Sequence, residues 1–322
     1  MKKLFLDATF AALCTALLSA CGGDSGSSAD SLDELSSSSE MDGAESSDSE
    51  GGESSGSGEG NSSSASEEPE SSGSEGVEGS SASVPGGSSD ASTYDVVTGT
   101  LTDSRDGQTY RTVKISGQVW MAQNLNYAYT GVPFDNGYYT SDSTSWCYDN
   151  DPANCAKYGR LYTWAAAMDS VGTWSTNGKG CGYGKTCSVA SAGSATLVRG
   201  ICPKGWHLPS HDEWKALIVA VDGSITEYTS SNTAGTKLKS VTGWNACSGI
   251  TNEDAFGFSA LPAGDMLSSG YYYYEGDDAY FWSSTEGGSN FAYYMGLRYN
   301  DVNANLDDGN KYYGFSVRCL KD

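Results

Sequence analysis

The chain has 322 residues, of which 41 are Asp or Glu and 18 are Lys or Arg, so its formal net charge at pH 7 is −23. A negative balance of this size disfavours nucleic acid and anionic lipid surfaces as partners. Beyond residue 20, no segment is apolar for the roughly 20 residues that a membrane-spanning helix needs, so we expect no such helix.

Residues 1–20 have the organisation of a bacterial lipoprotein signal peptide. Lys2 and Lys3 form a basic start, and an apolar run follows from Ala8 to Ala20. Such a run is too short to cross a bilayer as a helix and is typical of a signal that is removed from the mature protein. It ends in Leu18-Ser19-Ala20-Cys21, which matches the lipobox. We therefore expect cleavage before Cys21, lipidation of this residue, and anchoring by two or more acyl chains.

Residues 21–93 are predicted to be a disordered tether. From residue 22 onward the stretch is almost entirely Ser, Gly, Glu, Asp and Ala, with seventeen acidic residues and no Lys or Arg. It has too few apolar residues to offset the entropy lost on ordering. A coil of this length has an end-to-end distance of about 45 Å, and charge repulsion extends it further. Acidic residues soon after Cys21 favour display at the outer surface of an outer membrane.

Nine cysteines are present, and cleavage and lipidation leave seven of them in the remaining chain. In an exported protein these residues are expected to form disulfides. The predicted pairs are Cys147 with Cys155, Cys181 with Cys187, and Cys202 with Cys319. Cys247 is left without a predicted partner, and the sequence does not settle which cysteines pair. A zinc site is disfavoured because the chain has no Cys-x-x-Cys pair.

The third predicted segment, residues 94–322, opens with short strands. Residues 101–125 are predicted to form two or three of them, with turns at Asp106-Gly107 and Ser116-Gly117. Residues 158–168 are predicted to form a helix, because apolar residues recur there at helical spacing. The apolar positions are Leu161, Trp164, Ala165 and Met168.

Residues 210–221 carry the strongest helix signal. Ser210 and Glu213 have the spacing of a capping box, and Pro209 precedes them. The expected buried stripe consists of Trp214, Leu217, Ile218 and Val221. After Phe256 the pattern predicts short, aromatic-rich strands to the end of the chain. Helices followed by antiparallel strands indicate an α+β domain.

Seven separated blocks resemble one known family. They are Asp103–Tyr110, Trp120–Tyr127, Tyr158–Trp164, Cys202–Ser210, Phe256–Gly264, Phe281–Glu286 and Ser316–Cys319. In this order they resemble the Fibrobacter succinogenes major paralogous domain over residues 100–322. That family is similar to the formylglycine-generating-enzyme and sulfatase-modifying-factor group. The resemblance implies a C-type lectin-like fold, with two helices and short antiparallel strands.

The residues disfavour two kinds of catalysis. The related oxidising enzymes hold copper on two nearby cysteines, whereas residues 281–314 contain no cysteine, and thiolates are what select Cu(I). A Ser-His-Asp site would need His207 or His211, which both flank the predicted helix start and are interpreted as structural. We therefore expect no enzyme activity and no cofactor; an enzyme of unknown chemistry on this fold is the alternative.

Aromatic residues near the C-terminus favour ligand binding. Flat aromatic faces suit sugar rings. The ligand-binding candidates are Tyr271, Tyr272, Tyr273, Tyr274 and Trp282. Neighbouring residues on a strand alternate faces, so about two of the four consecutive tyrosines should be exposed. The competing interpretation places the aromatic residues in the core, where they stiffen the sheet.

Alternating Asp and Asn near the C-terminus give a weaker calcium candidate. The residues are Asp301, Asn303, Asn305 and Asp307. Leu306 and Tyr312 stand where an EF-hand needs Gly and Glu, so a polar turn is the alternative. The chain is thus interpreted as a surface-anchored lipoprotein with a non-catalytic recognition or adhesion domain. The partner would be a polysaccharide or another surface protein; a structural coat protein is a further alternative.

Overall fold

The computed structural model describes residues 92–129, 145–222, 233–267 and 270–322. These residues all belong to one compact unit. The predicted signal peptide, Cys21 and residues 22–91 of the acidic tether lie outside the described residues, whereas Thr93, the last residue of the predicted tether, begins the first strand. Among the residues that are described, no helix is both long and apolar enough to cross a membrane.

The described chain contains thirteen strands, four α-helices and two short 3-10 turns. The strands are β1 (Thr93–Asp95), β2 (Thr100–Thr102), β3 (Thr109–Ile115), β4 (Gln118–Met121), β5 (Ser145–Trp146), β6 (Leu161–Tyr162), β7 (Trp206–His207), β8 (Ala263–Met266), β9 (Tyr272–Glu275), β10 (Asp278–Glu286), β11 (Phe291–Arg298), β12 (Ala304–Asn310) and β13 (Leu320–Lys321). The helices are α1 (Pro152–Tyr158), α2 (Trp164–Ala167), α3 (His211–Asp222) and α4 (Ala234–Leu238). The 3-10 turns are Tyr148–Asn150 and Ser188–Ala190.

Two larger sheets carry most of the strands. One has the order β1-β2-β3-β4-β13-β7, the other has the order β12-β11-β10-β8-β9, and β5 pairs with β6. Within these sheets only β8 and β10 run parallel. In the first sheet, β13 lies between β4 and β7, so the C-terminal strand is placed beside strands from much earlier in the chain. The observed class is therefore β-rich, mainly antiparallel, with a few helices.

The hairpin of β3 and β4 forms as predicted. Ser116 and Gly117 are the two loop residues, with φ of 47° and 92°. Two consecutive positive φ values are the mark of the primed turn that matches the twist of a hairpin. The turn thereby sets the register in which Val113 pairs with Trp120.

The helix predicted over residues 158–168 is wrong. α1 ends at Tyr158, and Gly159 follows with a φ of 76°, outside helical geometry. The chain then enters β6, where Tyr162 pairs with Ser145 and also bridges Phe315. Thr163 caps a new short helix, α2, by accepting a hydrogen bond from the Ala166 amide. Long-range strand pairing therefore interrupts an apolar spacing that locally favours a helix.

The helix predicted over residues 210–221 is confirmed as α3. The Ser210 amide donates to a Glu213 carboxylate oxygen at 2.8 Å, and the Glu213 amide donates to Ser210 Oγ at 3.3 Å, which is a capping box. The predicted stripe is buried, and Trp214 packs its ring 4.9 Å from the Trp120 ring. This stripe joins α3 to both larger sheets, since Trp214 also lies 5.9 Å from Phe281.

α1 was not predicted, although its start carries a local signal. The Asp151 side chain accepts from the Ala153 amide, and Pro152 occupies the first helical turn. Both features favour a helix start at this point. The helix is too short to show a periodic stripe, so its apolar pattern gives no signal.

Three disulfides join the same pairs that the sequence predicts. Cys147 bonds Cys155, Cys181 bonds Cys187, and Cys202 bonds Cys319 across 117 residues. The sequence analysis left Cys247 without a predicted partner, whereas in the structure Cys247 is not a free thiol. The long-range disulfide ties the segment before β7 to the C-terminal strand.

His207 forms a buried junction between the C-terminus and the start of α3. Its Nδ1 lies 2.8 Å from an Asp322 oxygen, and its Nε2 lies 2.9 Å from a Glu213 oxygen. Burial alone would lower the pKa of His207, but Glu213 and Asp322 outweigh it, and the pKa is raised above its ordinary 6.5. Hydrogen bonds from Ser210 and His207 likewise outweigh burial and lower the pKa of Glu213.

We expect this junction to make stability depend on pH. A raised histidine pKa adds stability that is complete below about pH 6.5 and is lost as pH rises through the folded-state value. The unfolding free energy should therefore fall between pH 6 and pH 9. In a His207→Gln variant this fall should be smaller, because only other titrating groups then contribute to it, and stability at pH 6 should drop by about 2–3 kcal/mol. Urea unfolding at both pH values checks this, and an equal fall in the variant would contradict it.

Candidate functional site

The tyrosine-rich segment lies at an edge of the second sheet. β9 pairs only with β8 in that sheet, with Asp265 opposite Tyr273 and Met266 opposite Tyr272. Gly264 allows this close pairing, because its φ is 64° and a Cβ there would overlap the Tyr273 carbonyl oxygen. The segment is therefore held by backbone pairing on one side, and no other described strand pairs with its other side.

Three of the four tyrosines are exposed, where strand alternation predicts about two. Tyr271, Tyr273 and Tyr274 are 67%, 39% and 50% exposed. The departure arises at Tyr274, whose φ of 64° starts a tight turn in which the Asp277 amide donates to its carbonyl at 3.0 Å. This turn breaks the alternation and leaves the Tyr273 and Tyr274 rings 6.1 Å apart. We call Tyr271, Tyr273 and Tyr274 the tyrosine surface.

Tyr272 anchors the tyrosine surface to the rest of the domain. Its hydroxyl donates to Asn150 Oδ1 at 3.0 Å, and its ring lies 5.2 Å from the Tyr148 ring. The Cys147–Cys155 disulfide links the residue before Tyr148 to α1. The fourth tyrosine is thus a support rather than a contact residue, and the exposed rings stand on a cross-linked base.

Glu275 fastens the other end of β9 to α1. A Glu275 carboxylate oxygen accepts from the Tyr158 hydroxyl at 2.9 Å, and Lys157 Nζ lies 3.4 Å from the same oxygen. The Lys157 side chain is 53% exposed, so this ion pair adds little stability by itself. Its effect is positional, because it holds the exposed rings beside the C-terminal turn of α1.

Trp282, predicted as a ligand-binding residue, is fully buried. Its indole nitrogen donates to the Tyr162 carbonyl at 2.7 Å, and its ring lies 4.4 Å from the Phe315 ring. The C-terminal segment that carries Phe315 covers this ring. Trp282 is therefore a core residue, and the prediction that it contacts a ligand is corrected.

Two buried carboxyl groups lie on the same sheet, and the sequence analysis did not identify them as such. Asp265 is 4% exposed and Asp278 is 7% exposed. Burial and the nearby Asp278 charge raise the pKa of Asp265 to about 8. Burial raises the pKa of Asp278 as well, although Tyr280 donates its hydroxyl to Oδ2 at 2.6 Å. Asp265 Oδ1 is buried and has no hydrogen-bond partner.

Asp265 lies next to one residue of the tyrosine surface. Asp265 and Tyr273 are direct cross-strand partners, so their side chains share one face of the sheet. With a pKa of about 8, Asp265 is mostly neutral at pH 7, and a neutral carboxyl group can both donate and accept a hydrogen bond. The only sequence signal was an acidic residue within a short strand, which does not reveal burial.

A polar cleft of about 400 Å³ lies beside the C-terminal turn of α1. Lys157, Tyr158 and Gly159 form part of its wall, so the residues that hold Glu275 also border the cleft. The residues that line the cleft also include Arg111, Gln123 and Asn126, together with Thr242, Asp254 and Ser259. The sequence analysis missed this cleft, because its walls come from segments far apart in the chain.

The proposed calcium ligands lie around the turn before β12 and along that strand. Asp301 accepts from the Asn303 amide at 3.0 Å and from Asn305 Nδ2 at 3.2 Å. The buried Lys239 ammonium donates to the Asp301 carbonyl at 2.8 Å. Among the described residues, no group of three or more His, Cys, Asp or Glu side chains could hold a metal ion. The structure brings three of the four candidates together through hydrogen bonds with each other.

The two histidines have structural partners. His207 bonds two carboxylates and no hydroxyl among the described residues, and the His211 ring lies 4.5 Å from the Tyr293 ring. Burial lowers the pKa of His211. Within the described part of the chain, neither histidine side chain is hydrogen-bonded to a serine in the manner of a hydrolytic triad.

Comparison with protein-family models matches residues 113–321 to the Fibrobacter succinogenes major domain. This range includes the tyrosine surface, both buried carboxyl groups and most of the cleft. Neither a search of curated proteins nor a search of solved structures found a match.

Proposed function

This chain belongs to the Fibrobacter succinogenes major domain family, and from that premise we propose that its domain binds polysaccharide without catalysing a reaction. The observation that carries the proposal is the tyrosine surface. Three exposed tyrosines lie in or directly before the edge strand β9, where packing gives no reason to expose them.

Tyrosine is suited to this task for physical reasons. Each ring offers an apolar face to a sugar ring and a hydroxyl group to its edge. A tyrosine side chain has only two rotatable angles, so little entropy is lost when it is held in contact. The bonds of Tyr272 and Glu275 reduce that loss further, because β9 is already fixed before a ligand arrives.

Three finer features belong to the same proposal. The domain is a variant of the C-type lectin-like fold, related to the formylglycine-generating-enzyme group, as the seven sequence blocks imply. The chain is a lipoprotein anchored through Cys21 to an outer membrane. The acidic segment of residues 22–93 is a tether that carries the domain away from that membrane. Support for these features comes from the lipobox, the composition and the family resemblance.

A second candidate function is catalysis by the buried carboxyl groups. The pKa values of Asp265 and Asp278 are both raised, and perturbed carboxyl groups cluster at active sites. If the domain cleaved a bound polysaccharide, the full-length protein would release new reducing ends, and an Asp265→Asn variant would not. Binding without release of reducing ends is the result that the proposed non-catalytic role predicts.

We expect the tyrosine surface to be required for retention on polysaccharide. The full-length protein should sediment with at least one polymer in a panel of insoluble cellulose, xylan and related polysaccharides. Changing Tyr271, Tyr273 and Tyr274 together to Ala should reduce retention at least tenfold, because aromatic contacts contribute about 0.5–1.5 kcal/mol each beyond their buried area. Assays with and without calcium would also test the residues around Asp301.

The matched control is Phe291→Ala. Phe291 is also an exposed aromatic residue of the same sheet, at 38%, and it lies outside β8 and β9. This variant should be retained as well as the unchanged protein. Equal loss in both variants, or no retention on any polymer, would contradict the proposal and favour a protein partner or a structural coat role.

A further inference from the structure

We propose that the polar cleft beside α1 binds a carboxylate-bearing sugar, so that the preferred ligand is an acidic polysaccharide with uronate groups. This inference rests on the proposed polysaccharide-binding function and adds a substrate class to it. Its evidence is separate from that of the tyrosine surface, because it depends on the charge and hydrogen-bond state of the cleft walls.

Arg111 supplies a cation without a partner. It lies exposed on β3 at the cleft wall, and its guanidinium forms no hydrogen bond or ion pair with the described residues. A guanidinium group presents a planar fork of donors that fits a carboxylate in a bidentate arrangement. An unpaired arginine bordering a concave polar site is therefore suited to a carboxylate ligand.

The acidic residue that lines the same cleft, Asp254, already accepts hydrogen bonds from within the domain. Asp254 accepts from the Ser259 amide at 2.7 Å and from Ser259 Oγ at 2.6 Å. Its charge also acts on the buried Arg318 guanidinium. The second cation at the wall, Lys157, is paired with Glu275. Arg111 is thus the charge in this cleft that has no counter-charge among the residues lining it.

Asn126 supplies an acceptor without a donor. Its Oδ1 atom is buried and has no hydrogen-bond partner, whereas its backbone amide donates to the Tyr110 hydroxyl oxygen at 3.1 Å. Buried acceptors are nearly always satisfied, so a vacant one at a cleft wall marks a place for a ligand donor. A sugar hydroxyl group is such a donor, and a uronate sugar supplies both hydroxyl groups and a carboxylate.

Size and position fit a sugar that continues from the tyrosine surface. A volume of about 400 Å³ lies within the range of small-ligand pockets, about 300–1,000 Å³. Tyr158 borders the cleft and donates to Glu275, which follows Tyr274 directly. One polymer chain can therefore lie on the exposed rings and place a substituent in the cleft.

The negative charge of the whole chain does not oppose this assignment. Seventeen of its acidic residues lie in the tether, where they are far apart along the chain from the cleft residues. At physiological ionic strength, exposed charges act over only about 8 Å, so the side chains that line the cleft contribute most to the field within it. The local cation of the cleft therefore decides which ligand is preferred.

The test compares a short oligogalacturonate with its methyl ester, which differs from it in the loss of the carboxylate charge. Isothermal titration with the full-length protein should show the acid binding at least tenfold more tightly than the ester. Arg111→Gln should remove this preference by weakening the acid alone. Lys114→Gln, an exposed cation of the same strand outside the cleft, should leave the preference unchanged. An Asn126→Ala variant should weaken both ligands.

The outcomes separate this inference from the proposed function. Equal binding of acid and ester, with binding still lost in the tyrosine variant, would overturn the cleft assignment and leave the tyrosine surface in place. A preference for the acid that persists in Arg111→Gln would also overturn the cleft assignment. If neither sugar binds while neutral polymers retain the protein, the uronate class is wrong. If no polymer retains the protein, both proposals fail.

Discussion

Replacing Cys202 and Cys319 together with Ser is expected to lower the free energy of unfolding by about 4–5 kcal/mol. This disulfide closes a loop of 117 residues, and the constraint that a cross-link places on the unfolded chain grows with the length of the loop. It also joins the segment before β7 to the segment before β13, and these two strands are paired in the first sheet. Chemical unfolding of the full-length protein, followed by circular dichroism, measures the change.

The Cys147–Cys155 disulfide provides the matched control. Its two cysteines are eight residues apart, so replacing both with Ser should cost only about 2.5 kcal/mol. The same variant should loosen the base of the tyrosine surface, because Tyr148 follows Cys147 and supports Tyr272. Equal losses for the two disulfides would show that chain entropy is not the main source of their contribution.

Replacing Arg318 with Met is expected to lower the free energy of unfolding by about 3–5 kcal/mol. Arg318 is fully buried and donates to Asn124 Oδ1 at 2.8 Å, to the Ser259 carbonyl at 2.9 Å and to the Phe258 carbonyl. Its guanidinium also lies 4.3 Å from the centre of the Phe258 ring. Met retains apolar volume but leaves two buried acceptors and one partly buried acceptor without this donor, and the loss of these hydrogen bonds is the larger cost.

Two further variants show whether geometry or charge matters at this position. Arg318→Lys should recover little of the loss. The planar guanidinium reaches three acceptors at once, whereas the compact ammonium group of lysine cannot reach all three. Lys114→Met, at an exposed position of β3, should change stability by less than about 0.5 kcal/mol. Full recovery by Lys would mean that the buried charge, rather than the hydrogen-bond fork, holds this part of the core.

The parts of the fold that the sequence predicts are those with local causes. The α3 capping box is complete within four residues, Ser210 to Glu213. The turn at Ser116 and Gly117 depends on two consecutive residues with positive φ. Residues 158–168 have an equally local helical spacing, yet Tyr162 pairs with Ser145 and bridges Phe315. A strand partner more than 150 residues away cannot be inferred from that spacing.

At the candidate site as well, features with local causes could be predicted, and features that depend on distant segments could not. Strand alternation predicts that some of the consecutive tyrosines are exposed, and the turn at Tyr274 adds one more. Trp282 has the same sequence character as these tyrosines, but Phe315 from a distant segment covers it. The burial of Asp265 and the cleft beside Arg111 likewise depend on elements that meet only in the folded chain. Their chemistry was therefore not accessible from the sequence alone.

Hydroxyl-radical footprinting of the full-length protein, with and without a polymer that retains it, tests most directly whether polysaccharide lies on the tyrosine surface. Bound polymer should reduce the oxidation of Tyr271, Tyr273 and Tyr274 severalfold, because it covers rings that are otherwise exposed. Phe291 should oxidise at its unliganded rate. Polymer-bound protein in which the three tyrosines oxidise as fast as in free protein would contradict the account.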